Sequence, residues 1–228
     1  MSHQQHSLSA LHQSAEFSLA FRVRQTEINN PKKCLLLLHG VGGAESNLYD
    51  FSSDIDHDTL VIYPRGPLQL GSEQFAWFRV AFTEQGPRIV EAEAEQSRRT
   101  LIEFVAQIQN AYQIAPEHTV IAGFSQGGIL SASVGLSAPE RVAGFAVLSG
   151  RILPELQAHL ANKSRLSSMQ AFLGHGEYDT KLPVTWLHRA DQLLTELDVA
   201  HQTHLYPMEH GISPEMQADF MKWLSGVA

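Results

Sequence analysis

A single cysteine, Cys34, in 228 residues leaves no partner for an internal disulfide and no Cys pair for a metal knuckle. Basic residues are also scarce: 16 Lys and Arg stand against 24 Asp and Glu, a net charge of −8. Nucleic acid and anionic membrane surfaces both demand a basic face, so neither is an expected partner, and no block of like charge offsets the average. The same balance argues against a strongly anionic substrate. No apolar run approaches the roughly 20 residues of a membrane helix, so no stable membrane insertion is expected. Residues 1–14 hold no Lys or Arg and no apolar core, and thus lack the parts of a secretory signal. The expected compartment is the cytoplasm. Neither a repeat nor a low-complexity linker divides the chain, so residues 1–228 read as one domain, with 1–14 as a flexible N-terminal extension.

What is present is the composition of a soluble globular domain: 43% hydrophobic, 18% charged, 16 Gly and 10 Pro. A chain of this length buries roughly 70–75% of its unfolded surface and needs no covalent staple. Twelve histidines are the unusual component. Short apolar runs alternate with amphipathic stretches, which predicts an α/β fold with a mostly parallel central sheet and helices on both faces. The runs are Lys33–Leu38, 59–63, 118–124, Gly144–Leu148, 170–174 and Ala200–Tyr206, and residues 16–24 alternate like an edge strand.

The clearest helix runs from about residue 89 to 112, where Val90, Ala94, Leu101, Phe104, Ile108 and Tyr112 share one face. Glu91, Glu93 and Glu95 lie at its positive end as a solvated charge run, with Glu95 in reach of Arg99 at i+4. Further helices are expected at 127–136, 183–198 and 213–224, the last with Ser213 as N-cap and Pro214 in the first helical position. Residues 64–88 contain Pro64, Gly66, Pro67, Gly71, Gly86 and Pro87, show no clear period and read as a long loop.

Gly123-Phe124-Ser125-Gln126-Gly127 matches G-x-S-x-G at the point where a strand pattern ends and a helical one begins. Chance gives the bare pattern about 0.1 times in a chain of this composition. The flanking glycines permit a tight strand-to-helix turn that leaves the serine hydroxyl exposed on a strained corner. The bland alternative is a Gly-rich turn with a serine N-cap. Serine needs a base to become a nucleophile, and the base needs an acid to fix its tautomer. In chain order, Asp179 after the strand at 170–174 suits the acid, and His210 after Ala200–Tyr206 suits the base. Glu177 rivals Asp179 but reads as an exposed loop acid. His175 precedes the acid and so breaks the order, and His204 lies inside a strand.

Attack on a carbonyl creates an oxyanion that needs preorganised donors. The backbone N–H of Gln126 is one candidate. The other is Val41 in His39-Gly40-Val41-Gly42-Gly43, the loop after Lys33–Leu38. That loop does not read as a phosphate cradle, because G-x-G-x-x-G and a following Gly-Lys-Ser/Thr are both missing.

These residues resemble the phospholipase/carboxylesterase family of α/β-hydrolases, which includes acyl-protein thioesterases and small bacterial carboxylesterases. The resemblance spans roughly residues 33–224. It rests on Leu38-His39-Gly40-Val41-Gly42-Gly43, Gly123-Phe124-Ser125-Gln126-Gly127-Gly128, His175-Gly176 with Asp179 and Pro183, and His210-Gly211. It implies an α/β-hydrolase fold, a triad of Ser125, Asp179 and His210, and oxyanion donors at Val41 and Gln126. It also implies cleavage of carboxylic esters, thioesters or lysophospholipids through an acyl-enzyme, without a cofactor. Family members occur in more than one oligomeric state, which leaves a homo-oligomer open. Three positions depart from the usual pattern: Val41 replaces a common Leu, Arg79 follows Ala76-Trp77-Phe78 where an acid is frequent, and Pro64-Arg65-Gly66-Pro67 is closer to the bacterial esterases.

An acyl ester or thioester of small-molecule size is therefore the expected substrate. Leu68, Leu70, Phe75, Trp77, Phe78 and Phe82 are candidates for an apolar wall, with Trp77 and Phe78 the chosen substrate contacts. Two other classes compete. One is a hydrolase fold retained as a ligand-binding module, which has no need of all three triad residues. The other is a metal hydrolase through His3, His6 and His12, or His204 and His210, which lacks any recognised ligand spacing, so no metal is expected.

Overall fold

The structure, a computed structural model, describes residues 7–25, 31–83 and 86–227. In chain order the strands before the first helix are β1 (Ser7–Leu8), β2 (Phe21–Gln25), β3 (Lys33–Leu38), β4 (Thr59–Pro64), β5 (Leu68–Gly71), β6 (Gln74–Ala76), β7 (Val80–Thr83) and β8 (Gly86–Ile89). They are followed by α1 (Glu91–Tyr112), β9 (Thr119–Phe124), α2 (Gln126–Ser137), β10 (Gly144–Leu148), the single-turn α3 (Lys163–Leu166), β11 (Gln170–Gly176), α4 (Thr185–Glu196), β12 (Ala200–Tyr206) and α5 (Pro214–Leu224).

Eight strands form the central sheet in the order β1-β2-β4-β3-β9-β10-β11-β12. From β4 to β12 every pairing is parallel, and only β1 and β2 run antiparallel at one edge. Alternation within each strand supplies two cores. On one face Leu36, Leu38, Ile121, Val147 and Leu173 pack with Leu101 and Phe104 of α1, Leu130 of α2 and Leu194 of α4. On the other, Leu35, Leu37, Val120, Ala146 and Phe172 meet Met216, Phe220 and Trp223 of α5. The sheet is thus covered on both sides, as the continuous apolar runs demand. Ser213 caps α5 by accepting a hydrogen bond from the Met216 N–H at 3.2 Å.

Three stretches differ from their sequence expectation. Residues 64–88 are not one loop: they fold into two antiparallel hairpins, β5–β6 and β7–β8. Strands of three or four residues offer too few positions for a period, and their Pro and Gly content imitates a loop. Of the expected N-terminal extension, residues 7–9 and 12 engage the sheet. Ser7–Leu8 pairs with β2, the Ser9 hydroxyl accepts from the Val23 N–H at 2.9 Å, and His12 stacks on Phe21 at 4.9 Å. The edge pattern of residues 16–24 narrows to Phe21–Gln25, because the chain turns at residues 15–19.

Candidate active site

Parallel pairing sets the carboxyl ends of β3, β9, β10, β11 and β12 along one edge, and Val41, Ser125, Gln126, Asp179 and His210 lie just past those ends, whereas Trp77 and Phe78 follow β6. Ser125 occupies the turn between β9 and α2 with φ 53° and ψ −115°, a conformation that costs about 1–3 kcal/mol for a residue with a side chain. The surroundings enforce it. A Cβ on Gly127 would stand 2.1 Å from the Leu38 carbonyl oxygen, so only glycine lets α2 begin this close to β3. The Ser125 N–H is also anchored, donating to the Leu148 carbonyl at 2.8 Å.

The structure brings Ser125, Asp179 and His210 together. His210 Nε2 lies 3.0 Å from Ser125 Oγ, and its Nδ1 lies 2.6 Å from Asp179 Oδ2. The Asp179 side chain has no exposed surface, while that of His210 keeps 10%. The second carboxylate oxygen, Oδ1, accepts from the Lys181 and Leu182 N–H groups at 2.9 Å each. Burial pushes the Asp179 carboxyl up, but the hydrogen bonds from His210 and the Leu182 amide outweigh it and hold the group below its ordinary value. The two loops are tied together by Glu177 N–H to Tyr206 O at 2.8 Å and Tyr178 N–H to Met208 O at 3.0 Å. Phe124 packs on the His210 ring at 5.0 Å between centroids. The rivals do not take the triad positions. Glu177 is exposed, and His204 stacks on Phe172 at 5.3 Å. His175 is a buried neighbour of the acid, with Nε2 bonded to the Leu182 carbonyl at 2.7 Å. Among the described residues no cluster of three or more His, Cys, Asp or Glu could hold a metal ion, and His3 and His6 lie outside those residues.

The loop after β3 is held from several directions. His39 is buried, donates from Nδ1 to the Gly40 carbonyl at 2.7 Å and accepts at Nε2 from the Gly66 N–H at 2.9 Å. That pair of bonds requires the neutral ring with its proton on Nδ1. Gly42 N–H and Phe75 N–H exchange bonds with Phe75 O and Gly43 O, both 2.8 Å, so the β5–β6 hairpin braces the loop. Behind it, buried Glu45 bonds Arg22 and Arg65 at 2.7 Å each, and these partners overcome burial to keep its carboxyl at about 2.

Val41, Ser125, Gln126 and His210 line one cavity, together with Phe78, Val80, Pro87, Ile89, Ile129 and Leu182. The β7–β8 hairpin therefore forms part of its wall. Trp77 does not line it, contrary to the sequence expectation. Its side chain is fully buried and its indole N–H donates to the His39 carbonyl at 2.9 Å, making it a brace under the loop. Neither Leu68, Leu70 nor Phe75 reaches the cavity; Leu70 is exposed and Phe75 packs under the Arg65 guanidinium at 4.3 Å. The Phe82 side chain lies outside the described residues. Arg79 turns away to Glu93, with Nε 2.7 Å from Oε1, and Glu95 pairs with Arg99 at 2.6 Å as its i+4 spacing implies.

Two features escaped the sequence. The Gln126 side chain accepts from the Trp77 N–H and donates to the Phe78 carbonyl, both at 2.7 Å, clamping the cavity wall to the serine turn. The motif marks Gln126 only as a backbone donor, and its side-chain partners lie 48 and 49 residues away. Cationic Arg151 and Lys181 also line the cavity, at positions that no motif marks.

Burial lowers the affinity of His39 and His175 for a proton from its ordinary 6.5. The unfolded chain then binds more protons than the folded one below that value, so stability is complete above about pH 6.5 and declines as pH falls. Urea midpoints should drop between about pH 8 and pH 5.5, with a shallower drop for His39→Gln; a midpoint that stays flat over this interval contradicts the neutral assignment.

The sequence profile of phospholipases and carboxylesterases matches residues 21–227. Acyl-protein thioesterase 1 of Mycosarcoma maydis is 28% identical, the alignment covering 86% of this chain and 92% of that protein. The enzyme of the same name from Kluyveromyces lactis is 26% identical over 85% and 91%. Among solved structures, the Mesorhizobium loti carboxylesterase superposes with a TM-score of 0.79 at 19% identity, covering 95% of this chain and 99% of that one. The Bacillus cereus carboxylesterase gives 0.78 at 22% identity, covering 91% and 94%. The fold is that of the α/β-hydrolases, and the chain belongs to the phospholipase/carboxylesterase family.

Proposed function

We propose that this ester or thioester hydrolase works through an acyl-enzyme formed on Ser125, with His210 as general base and acid and Asp179 as its orienting carboxylate. The observation that carries this reading is the continuous relay of 2.6 and 3.0 Å from Asp179 through His210 to Ser125. Asp179 fixes the proton on His210 Nδ1, which leaves Nε2 free to accept the Ser125 proton as Oγ attacks the substrate carbonyl. The resulting oxyanion is met by the backbone N–H groups of Gln126 and Val41. Gln126 opens α2, so its amide has no acceptor one turn back within the helix, and the helix N-terminus adds a favourable partial charge. His210 then protonates the leaving alcohol or thiol, and water repeats the sequence to release the acid. The setting is cytoplasmic, and the substrate is a carboxylic ester, thioester or lysophospholipid.

Ser125→Ala should fold like the parent and lose roughly 10⁴-fold or more in kcat on an aryl ester. Asp179→Asn should lose about 10³–10⁴-fold by presenting the wrong tautomer. Steady-state kinetics check both, and an Ser125→Ala protein with near-parental kcat refutes the mechanism.

Phe78 and Trp77 separate wall from brace. Phe78→Ala should change the dependence of kcat/KM on acyl chain length across p-nitrophenyl esters. Trp77→Ala should instead cost about 3–5 kcal/mol of stability in urea unfolding. A chain-length profile that is unchanged in Phe78→Ala removes Phe78 from the substrate wall.

A further inference from the structure

The reaction as proposed makes no use of Arg151. It lies just past β10 and close to the serine turn, since a Cβ on the preceding Gly150 would stand 2.9 Å from the Ser125 carbonyl oxygen. The residue is only 4% exposed, and its guanidinium carbon sits 4.4 Å from the centroid of the Trp186 ring. Among the described residues no carboxylate lies within ion-pair distance of it, and Nε has no hydrogen-bond partner. Partly exposed Arg22, Arg65 and Arg98 each hold a glutamate, and buried Arg24, which also lacks an ion pair and a partner for Nε, gives its other guanidinium nitrogens to the carbonyls of Ser52, Ile55, Asp56 and Thr59. A buried cation without an ion-pair partner is expensive, and burial pushes the Arg151 guanidinium below its ordinary value although the charge of Glu155 acts in the opposite direction.

The cavity wall as a whole shows the same imbalance. Among the described residues it carries Arg151 and Lys181 and no Asp or Glu. Asp179 is close in sequence to Lys181, but both its oxygens are engaged by His210 and the loop amides. Lys181 is exposed and makes no ion pair among the described residues. A chain of net charge −8 thus places beside its candidate nucleophile two cations that make no ion pair among the described residues. The Arg151 guanidinium sits over the Trp186 ring, and a guanidinium packed on a ring can still offer its edge donors to a planar or tetrahedral anion. The overall charge argues against an anionic substrate at long range, but the charges that a bound substrate meets are the local ones.

We propose that the substrate carries an anionic oxygen group, a carboxylate or phosphate, a few bonds from the scissile carbonyl, held by Arg151 inside the cavity and Lys181 at its rim. This rests on Ser125 being the nucleophile. The test compares kcat/KM for anionic esters and neutral esters of matched length, following acid release at constant pH. Three arms place the anion differently: monoethyl glutarate against ethyl pentanoate for the acyl side, 3-(butyryloxy)propanoate against isopentyl butyrate for the alcohol side, and 2-(butyryloxy)ethyl phosphate against butyl butyrate for phosphate. At least one anionic ester should be preferred about tenfold or more, and the arm that shows it identifies the anion and its side. Arg151→Met should bring that ratio close to one, and Lys181→Met should lower it severalfold. Lys181 is on the surface, so its variant and the parental ratio decide the matter if Arg151→Met does not fold. Equal or faster turnover of the neutral ester in all three arms, by an enzyme whose Ser125 reacts with a fluorophosphonate, overturns the anion site and leaves the hydrolase reading standing. No turnover and no reaction at Ser125 overturns both.

Discussion

Parallel hydrogen bonding is the constraint on which the remainder of this structure depends. The register aligns Leu38 with Gly123, Phe124 with Leu148, Leu148 with Gly174, and Gly176 with Tyr206, so five strands finish almost level. Because each strand ends there, each following loop starts there. The serine turn, the acid loop, the histidine loop, the loop braced by His39 and the segment bearing Arg151 are drawn from residues 39 to 210, yet they share one edge. No side chain has to travel far to meet its partner, and a hydrogen bond of 2.6 Å can form between residues 31 apart in sequence.

Rigidity at that edge comes from close backbone contact and from buried polar groups that are fully bonded. The contact between α2 and the end of β3 forces Ser125 into its left-handed conformation, and the energy stored there is supplied by packing elsewhere. Neutral His39, the indole of Trp77 and the amide of Gln126 each spend their hydrogen bonds on the backbone around the cavity. The Glu45 cluster with Arg22 and Arg65 anchors the same region from behind. Arg151 differs in place: it lines the cavity, and its buried Nε has no hydrogen-bond partner. Unspent hydrogen-bonding capacity beside a candidate nucleophile is more readily explained by a ligand than by stability.

Much of this was legible in the sequence, for physical reasons. Lys33–Leu38, Gly144–Leu148 and Ala200–Tyr206 appear with the expected bounds, because buried parallel strands are continuous apolar runs with abrupt ends, or, for β12, follow a helix at a fixed interval. The Ser213-Pro214 start of α5 is likewise local chemistry. Ser125 could be proposed from its G-x-S-x-G motif, and Asp179 and His210 from chain order after it, since each lies on a loop past a legible strand. What escaped depends on distant partners. The hairpins within 64–88 are too short to show a period, and Trp77 could be told from Phe78 only by which of two adjacent side chains faces the cavity. The Gln126 clamp and the unpaired state of Arg151 become visible only when segments 48 or more residues apart, or the full set of neighbouring charges, are placed in space.

The relay has one consequence that a merely structural Ser-His-Asp contact would not share: the serine must be chemically activated. Reaction with a fluorophosphonate followed by peptide mapping measures this directly. The account predicts stoichiometric modification confined to Ser125, lost in His210→Ala although Ser125 remains in place. An unreactive Ser125 in the folded parental protein, or labelling that persists at full rate without His210, would contradict it.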